Sequence, residues 1–219
     1  MFDPFPATIA LAPLIVYLIA LSAIRLSGSA CVVSGASDLA AVLVAVSGLI
    51  VIGPMELFFP NATASLLGVW VWLPLLLLYF LFACLLVLNG RPRLVVYGRM
   101  VEEVYPALIR AAQTLDSGAT ENEEQLQVYL PSASAHLRID LVRGNDCCSV
   151  MAFEPALPPD FWNAFAKQFR EELRQTAPPY PRRGWAMLIV ASMMAFLLIR
   201  YVAAQPAVLV EGFREWLIR

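Results

Sequence analysis

The amino-acid sequence predicts a membrane all-α protein, with four transmembrane helices, that carries a small cytoplasmic α+β domain of element order β-α-β-β-β-α. Three observations predict it. The 219 residues are 60% hydrophobic and 15% charged, where soluble domains lie nearer about 45–50% and about 25%. The charges are unevenly placed: residues 91–184 hold 23 of the 32, and the other 125 residues hold nine. Outside that segment lie four apolar runs of about 20 residues, the length a helix needs to cross ~30 Å of hydrocarbon.

Residues 1–90 hold the first three runs, at about 8–24, 39–59 and 66–88. The leader Met1-Phe2-Asp3-Pro4-Phe5-Pro6 has one acid and no base, the reverse of a signal peptide, so the first helix is expected to stay. Ser37-Asp38 offers a cap for the second helix. Pro13, Pro54 and Pro74 fall inside the runs and read as kinks, which membrane helices tolerate. Gly48 and Gly53 read as small residues that permit close helix packing. Cys31, in the first connection, reads as a loop or interfacial thiol.

Residues 91–181 read as the α+β domain. Arg93 to Tyr97 is a β-branched and aromatic strand, and Val101, Val104, Leu108, Ala112 and Leu115 then follow helical spacing. Glu121 to Glu124 reads as a solvated acidic loop. Strands follow at Leu126–Leu130, His136–Val142 and Cys147–Phe153, the last two joined by a turn at Arg143-Gly144-Asn145-Asp146. A two-residue loop at Gly144-Asn145 makes paired residue numbers sum to 289, which sets His136 opposite Phe153. Asp160 is expected to cap a closing helix with Phe161, Trp162, Phe165, Phe169 and Leu173 on its apolar stripe. One antiparallel-rich sheet with both helices on a single face would bury these stripes.

Residues 182–219 hold a fourth transmembrane helix at about 185–204 and an amphipathic tail helix. The flanking bases Arg25, Arg91, Arg93, Arg99, Arg182 and Arg183 put the domain on the cytoplasmic side. Arg200, Arg214 and Arg219 dissent, and a fourth run lying flat would remove the dissent. Trp70, Trp72, Trp185 and Trp216 stand where membrane-interface aromatics belong.

The net charge of −2 is too balanced for phosphate neutralisation, so no nucleic-acid partner is expected. One His and four scattered Cys build neither a disulfide framework nor a zinc site. No nucleophile elbow, phosphate loop or zinc-protease signature occurs. No catalytic, cofactor-binding or metal-binding residue is therefore expected. Three residues stand as functional candidates. Glu56 follows Gly53-Pro54 as an acid inside an apolar run, and Arg200 is a base inside another. In the expected register Cys148 points into the core and Cys147 faces outward as a surface thiol. His136 lacks any partner the sequence can place and reads as surface. Arg outnumbers Lys fourteen to one, which points to a bacterial source and an inner-membrane, multi-pass location.

The expected function is a non-enzymatic adaptor or assembly subunit, with the lipid bilayer and a protein partner or further copies of itself as company. The alternative is a ligand-responsive membrane regulator, with a concave site near Tyr97, Tyr129 and Trp162. A membrane enzyme acting through Cys147 or Glu56, or a transporter subunit, ranks behind both.

Overall fold

The computed structural model describes residues 4–55, 70, 72–141, 147–154, 157–175 and 184–218. In chain order the elements are α1 (Pro4–Ser27), β1 (Cys31–Ser34), α2 (Gly35–Ile50), α3 (Trp72–Leu88), β2 (Arg93–Tyr97), α4 (Val101–Leu115) and β3 (Thr120–Asn122). There follow β4 (Gln127–Leu130), β5 (Ala135–Leu141), β6 (Cys147–Ala152), α5 (Pro159–Gln175), α6 (Trp185–Ala204) and α7 (Pro206–Ile218). They form two compact units, one of residues 1–22, 39–89 and 186–219, the other of residues 23–38 and 90–185.

The first unit is helical and apolar. Three helices are long and apolar enough to cross a membrane: Pro4–Ser27, Gly35–Pro54 and Trp185–Ala204. The third expected span is shorter. Trp72–Leu88 has 17 residues, about 26 Å at ~1.5 Å per residue, because only part of the run 66–88 lies in the described helix. Pro13 sits within α1 without breaking it, and at Pro54 the second helix widens into a π-type turn over Val51–Met55. A proline gives no N–H, so a wider turn is one way to place the carbonyl it would otherwise strand.

Gly48 packs where a Cβ would collide with the Ile9 carbonyl, which is the close helix approach expected of it; Gly53 has open space around its missing Cβ. The Tyr79 hydroxyl donates to the Leu43 carbonyl at 2.6 Å, and Phe5 meets Phe213 edge to face with ring centroids 5.9 Å apart. The tail is helical, as its spacing implies.

The second unit is a six-stranded antiparallel sheet in the order β1-β2-β6-β5-β4-β3, with α4 and α5 packed on it. Two strands depart from the sequence reading. Thr120–Asn122 lies in the stretch read partly as an acidic loop; it is exposed along its length and pairs with β4 through backbone alone. A strand that buries nothing leaves no periodic apolar signal.

Cys31–Ser34 lies in the connection between two apolar helices, where Cys31 reads as a loop or interfacial thiol, yet it pairs with β2 as Cys31↔Tyr97 through Ser34↔Leu94. Four residues are too few to show a period. The junctions on either side are tight. Gly28, with φ of 69°, ends α1 in the left-handed conformation that glycine adopts at no steric cost. The Ser34 hydroxyl accepts the Ser37 N–H at 3.1 Å, so the last residue of β1 is also the cap of α2. That corrects Ser37-Asp38 as the cap: the helix starts earlier, and Asp38 sits inside its first turn, taking a hydrogen bond from the Tyr97 hydroxyl.

The register of β5 with β6 runs Leu137↔Ala152 to Leu141↔Cys148, every pair summing to 289 as the two-residue turn requires. The turn itself lies outside the described residues. One face of the sheet, with Val32, Val96, Val150, Ile139 and Val128 along it, meets the apolar stripes of α4 and α5 in a single core. Phe161, Phe165 and Phe169 stack at 6.0 and 5.5 Å along α5. Each fully buried side chain of this kind contributes about 1.5–3 kcal/mol over its exposed state. Asp160 is not the cap of α5. The helix begins at Pro159, and the Pro158 carbonyl accepts from Phe161 N–H at 3.1 Å. Proline at the first helical position loses no hydrogen bond, and Asp160 then stands in the first turn, where its charge suits the helix dipole.

Candidate functional site

The sequence-derived candidates do not converge on one site. Glu56 lies outside the described residues. Arg200 is exposed on α6, four residues before its end. Cys147 is not the surface thiol that strand alternation suggested: it is 7% exposed, and Cys148 on the opposite face is 1% exposed. Alternation predicts which side a residue faces, and here both sides of β6 are covered. Burial, and then the neighbouring Cys147, push the Cys148 thiol up to about 12, so it holds its proton at any physiological pH. Among the expected interface aromatics, Trp70 and Trp185 are well exposed, Trp72 is buried at the start of α3, and Trp216 lies in α7.

The structure instead assembles a polar cluster the sequence reading missed. His136 Nδ1 and Glu154 Oε1 are 2.8 Å apart, and Glu154 Oε2 accepts the His136 backbone N–H at 2.8 Å. One carboxylate therefore grips the histidine at both ring and backbone. The Tyr129 ring stacks beside the imidazole with centroids 4.5 Å apart. Burial alone would raise the Glu154 carboxyl, but the hydrogen bonds from His136 outweigh it and hold the group below its ordinary value. The 289 register places Glu154 one residue beyond Phe153, the partner of His136, so the signal was present in the pairing arithmetic.

A carboxylate at Nδ1 fixes the ring and leaves Nε2 of the neutral imidazole as the acceptor. A nucleophile–base pair would need a third, reacting group within hydrogen-bond reach, and the cluster has no such group among the described residues. Nor do the described residues contain three His, Cys, Asp or Glu side chains grouped to hold a metal ion.

Two hollows flank the turn before β4. The larger, about 590 Å³, opens beside Met100, Val101, Tyr105, Pro106 and Leu126. The smaller, about 440 Å³, runs along Gln127, Arg138 and Asp140. Neither is lined by Tyr97, Tyr129 or Trp162, where the regulator reading expected a concave site.

Comparison with protein-family models, curated proteins and solved structures matches nothing to this chain. The functional reading rests on connectivity and side-chain chemistry.

Proposed function

We propose that this chain is a non-enzymatic adaptor or assembly subunit of a bacterial inner membrane, and that it presents its α+β domain at the cytoplasmic face to a protein partner or to further copies of itself. The observation that carries this reading is β1. A strand drawn from the connection between two membrane-length helices forms the edge of the sheet, and its final residue caps α2 with no linker between them. Only Gly28, Ser29 and Ala30 separate α1 from β1, and only residues 89–92 separate α3 from β2. Short junctions leave few free torsions between a domain and the helices that carry it, and fewer free torsions lower the ordering cost of association, which suits an assembly subunit.

The same connectivity supports four crossings. Since β1 and β2 are neighbours, a chain that leaves the sheet through α2 must return before Arg93, and α3 is the helix placed to bring it back. The contact of Phe5 with Phe213 joins the start of α1 to the tail beyond α6, which favours α6 crossing over α6 lying flat. Arginines on the domain's flanks favour the cytoplasmic side.

Two measurements test the proposal. Asn163→Cys, exposed on α5, in a chain with Cys31 and Cys84 replaced by Ser, is expected to label with a membrane-impermeant maleimide only after the inner membrane is opened. Extraction into native-lipid nanodiscs is expected to yield a complex heavier than one chain. Labelling of intact cells refutes the cytoplasmic placement, and a solitary monomer refutes the assembly role.

A ligand-responsive regulator is the second reading, favoured by the Ser34 junction, through which any displacement of β1 would pass directly to the start of α2. Spin labels on α2 and α3 whose separation shifts when the domain is occupied would choose the regulator over the adaptor.

A further inference from the structure

The larger hollow of the sheet domain has a composition that specifies its occupant. Its wall is mainly apolar: Met100 is 38% exposed, Pro106 is exposed, and Val101, Tyr105 and Leu126 complete it. Its charged lining residues are Glu102 and Glu123, and Glu121 and Glu124 stand in the adjoining strand and turn. Among the described residues no lysine or arginine lines it.

Several other carboxylates of the domain are engaged; Asp140, Asp160 and Glu171 are exposed and, among the described residues, are not. Glu103 pairs with Arg99 at 3.3 Å, Glu172 with Arg110 at 2.9 Å and Glu154 with His136 at 2.8 Å, while Asp116 accepts the Ser132 and Gly118 N–H groups. Glu102, Glu121, Glu123 and Glu124 have no ion-pair or hydrogen-bond partner for their side chains among the described residues.

Backbone chemistry adds to this bias. Pro106 lies inside α4 and has no N–H, so the Glu102 carbonyl loses the donor that a helix ordinarily supplies four residues on. The start of α4 has a positive dipole end, worth roughly half a charge; Glu103 in its first turn is paired with Arg99, and the unpaired Glu102 offsets that end. The negative field is felt at Tyr105: burial first, then Glu121 and Glu123, raise its hydroxyl above the ordinary value. The hollow thus offers hydrogen-bond acceptors, negative charge and an apolar floor, and its complement is a donor-rich cation on an apolar backing.

We infer that this groove binds a basic amphipathic peptide segment, with arginine or lysine side chains set between apolar ones, contributed by a partner protein. Such segments are concentrated where membrane proteins meet the cytoplasmic face, since their short cytoplasmic loops are enriched in Lys and Arg. The inference deepens the adaptor reading and rests on it for the side of the membrane. Apolar anchors give the contact its affinity, and the rim glutamates give it sign selectivity and rate.

The test uses the full chain in nanodiscs of zwitterionic lipid, with empty nanodiscs as the blank. A fluorescent peptide of alternating Leu and Arg is titrated, against its counterpart with Glu in place of Arg. Saturable binding is expected for the basic peptide only, weakening about tenfold or more as salt rises from ~0.05 to ~0.5 M. Glu102→Lys with Glu123→Lys is expected to weaken binding by at least about tenfold, and Glu102→Gln with Glu123→Gln by less. The control pair Asp160→Lys with Glu171→Lys, exposed on α5, is expected to leave binding within about twofold. A thermal melt of each variant separates lost binding from lost folding, and the Gln pair keeps the test decisive if the Lys pair unfolds.

Equal binding of both peptides overturns the inference, as does binding indifferent to both groove pairs or equally weakened by the control pair. Binding of arginine amide as tight as the peptide replaces a peptide site with a small-cation site. A chain that assembles with a partner yet ignores the basic peptide refutes the groove alone, whereas one that binds the peptide yet remains solitary in native lipid refutes the adaptor reading alone.

Discussion

Ser149 and Asp140 face each other across two strands of one sheet, yet Ser149 is 1% exposed and Asp140 is exposed. The contrast divides the sheet. Toward β2 and β6, both faces are dry: Val96 and Cys148 look into the helix-covered core, and Val95, Cys147 and Ser149 are buried on the other side. Toward β5, β4 and β3, one face stays wet, with His136, Arg138 and Asp140 alternating with Leu137 and Ile139. The dry half holds the strands that continue into the apolar helices. The wet half, with the His136–Glu154 pair and the acid-rimmed groove, is where chemistry is available. The strands next to the apolar helices in the chain and the groove lie toward opposite ends of one sheet.

The strongest way to break that division is to put a charge on each half. Val96→Asp buries a carboxylate at a position with no exposure, and is expected to cost about 4 kcal/mol or more, enough to leave the domain unfolded. Arg138→Glu, on the wet face, is expected to change stability by less than about 0.5 kcal/mol. Denaturant unfolding in micelles compares them. Comparable losses would mean that the exposed face is covered in the folded protein.

Thiol reactivity sharpens the same comparison without altering the fold. The Cys148 value of about 12 against an ordinary 9 suppresses the thiolate about a thousandfold at neutral pH, before access is counted. Cys147 and Cys148 are therefore expected to resist alkylation in the native protein and to react together on denaturation. Rapid native labelling of Cys147 would show β6 exposed on its second face, and the dry half would shrink to one side.

How legible this was from sequence depended on which half was being read. The wet half follows the arithmetic of alternation: Leu137 and Ile139 in, Arg138 and Asp140 out, with a register fixed by two turn residues. The dry half defeats alternation, because residues buried on both faces have no period, and Cys147 was placed outward for that reason. β1 and β3 escaped for other causes. The strand Cys31–Ser34 is short and stands among several residues able to cap a helix, and Thr120–Asn122 is held by backbone pairing alone. The four apolar runs were plain from charge depletion; the run 185–204 coincides with α6, and the described helices of the other three have other bounds. The groove was invisible because it joins the start of α4 to the turn before β4, a juxtaposition only the folded chain supplies.

A smaller effect probes the seam between sheet and helix. Ser34→Ala removes the cap that lets β1 pass directly into α2, and is expected to cost about 1 kcal/mol locally. Hydrogen exchange at the β1 amides reads this as a roughly fivefold faster opening, since about 1.4 kcal/mol corresponds to tenfold. The effect should stay local, because the Arg170 guanidinium still donates to the Val32 carbonyl at 3.3 Å and pins the strand to α5. Exchange unchanged at Cys31–Ser34 would show that the hydroxyl contributes nothing to the junction, and that the pairing with β2 and the Arg170 contact hold the strand.

The smallest effect belongs to the wet end and turns on sign. Glu154 is held below its ordinary value in the folded chain, so folding favours the carboxylate. Its contribution is present in full above the unfolded value of 4.5 and fades as pH falls through the lower folded value. The His136 and Glu154 side chains are 48% and 31% exposed, and water screens the pair, which limits the contribution to less than about 1 kcal/mol at neutral pH. Glu154→Gln keeps a group that can accept from the His136 N–H but has no charge to lose. The variant should therefore start slightly less stable than the parent at pH 7, and its stability should fall less steeply below pH 4.5. The two curves approach each other in acid, where Glu154 of the parent has itself become neutral. Parallel curves across that range would mean that the carboxylate's charge is irrelevant and that only the hydrogen bonds to His136 hold the strand end, which would remove the one titrating contact of the wet half's far corner.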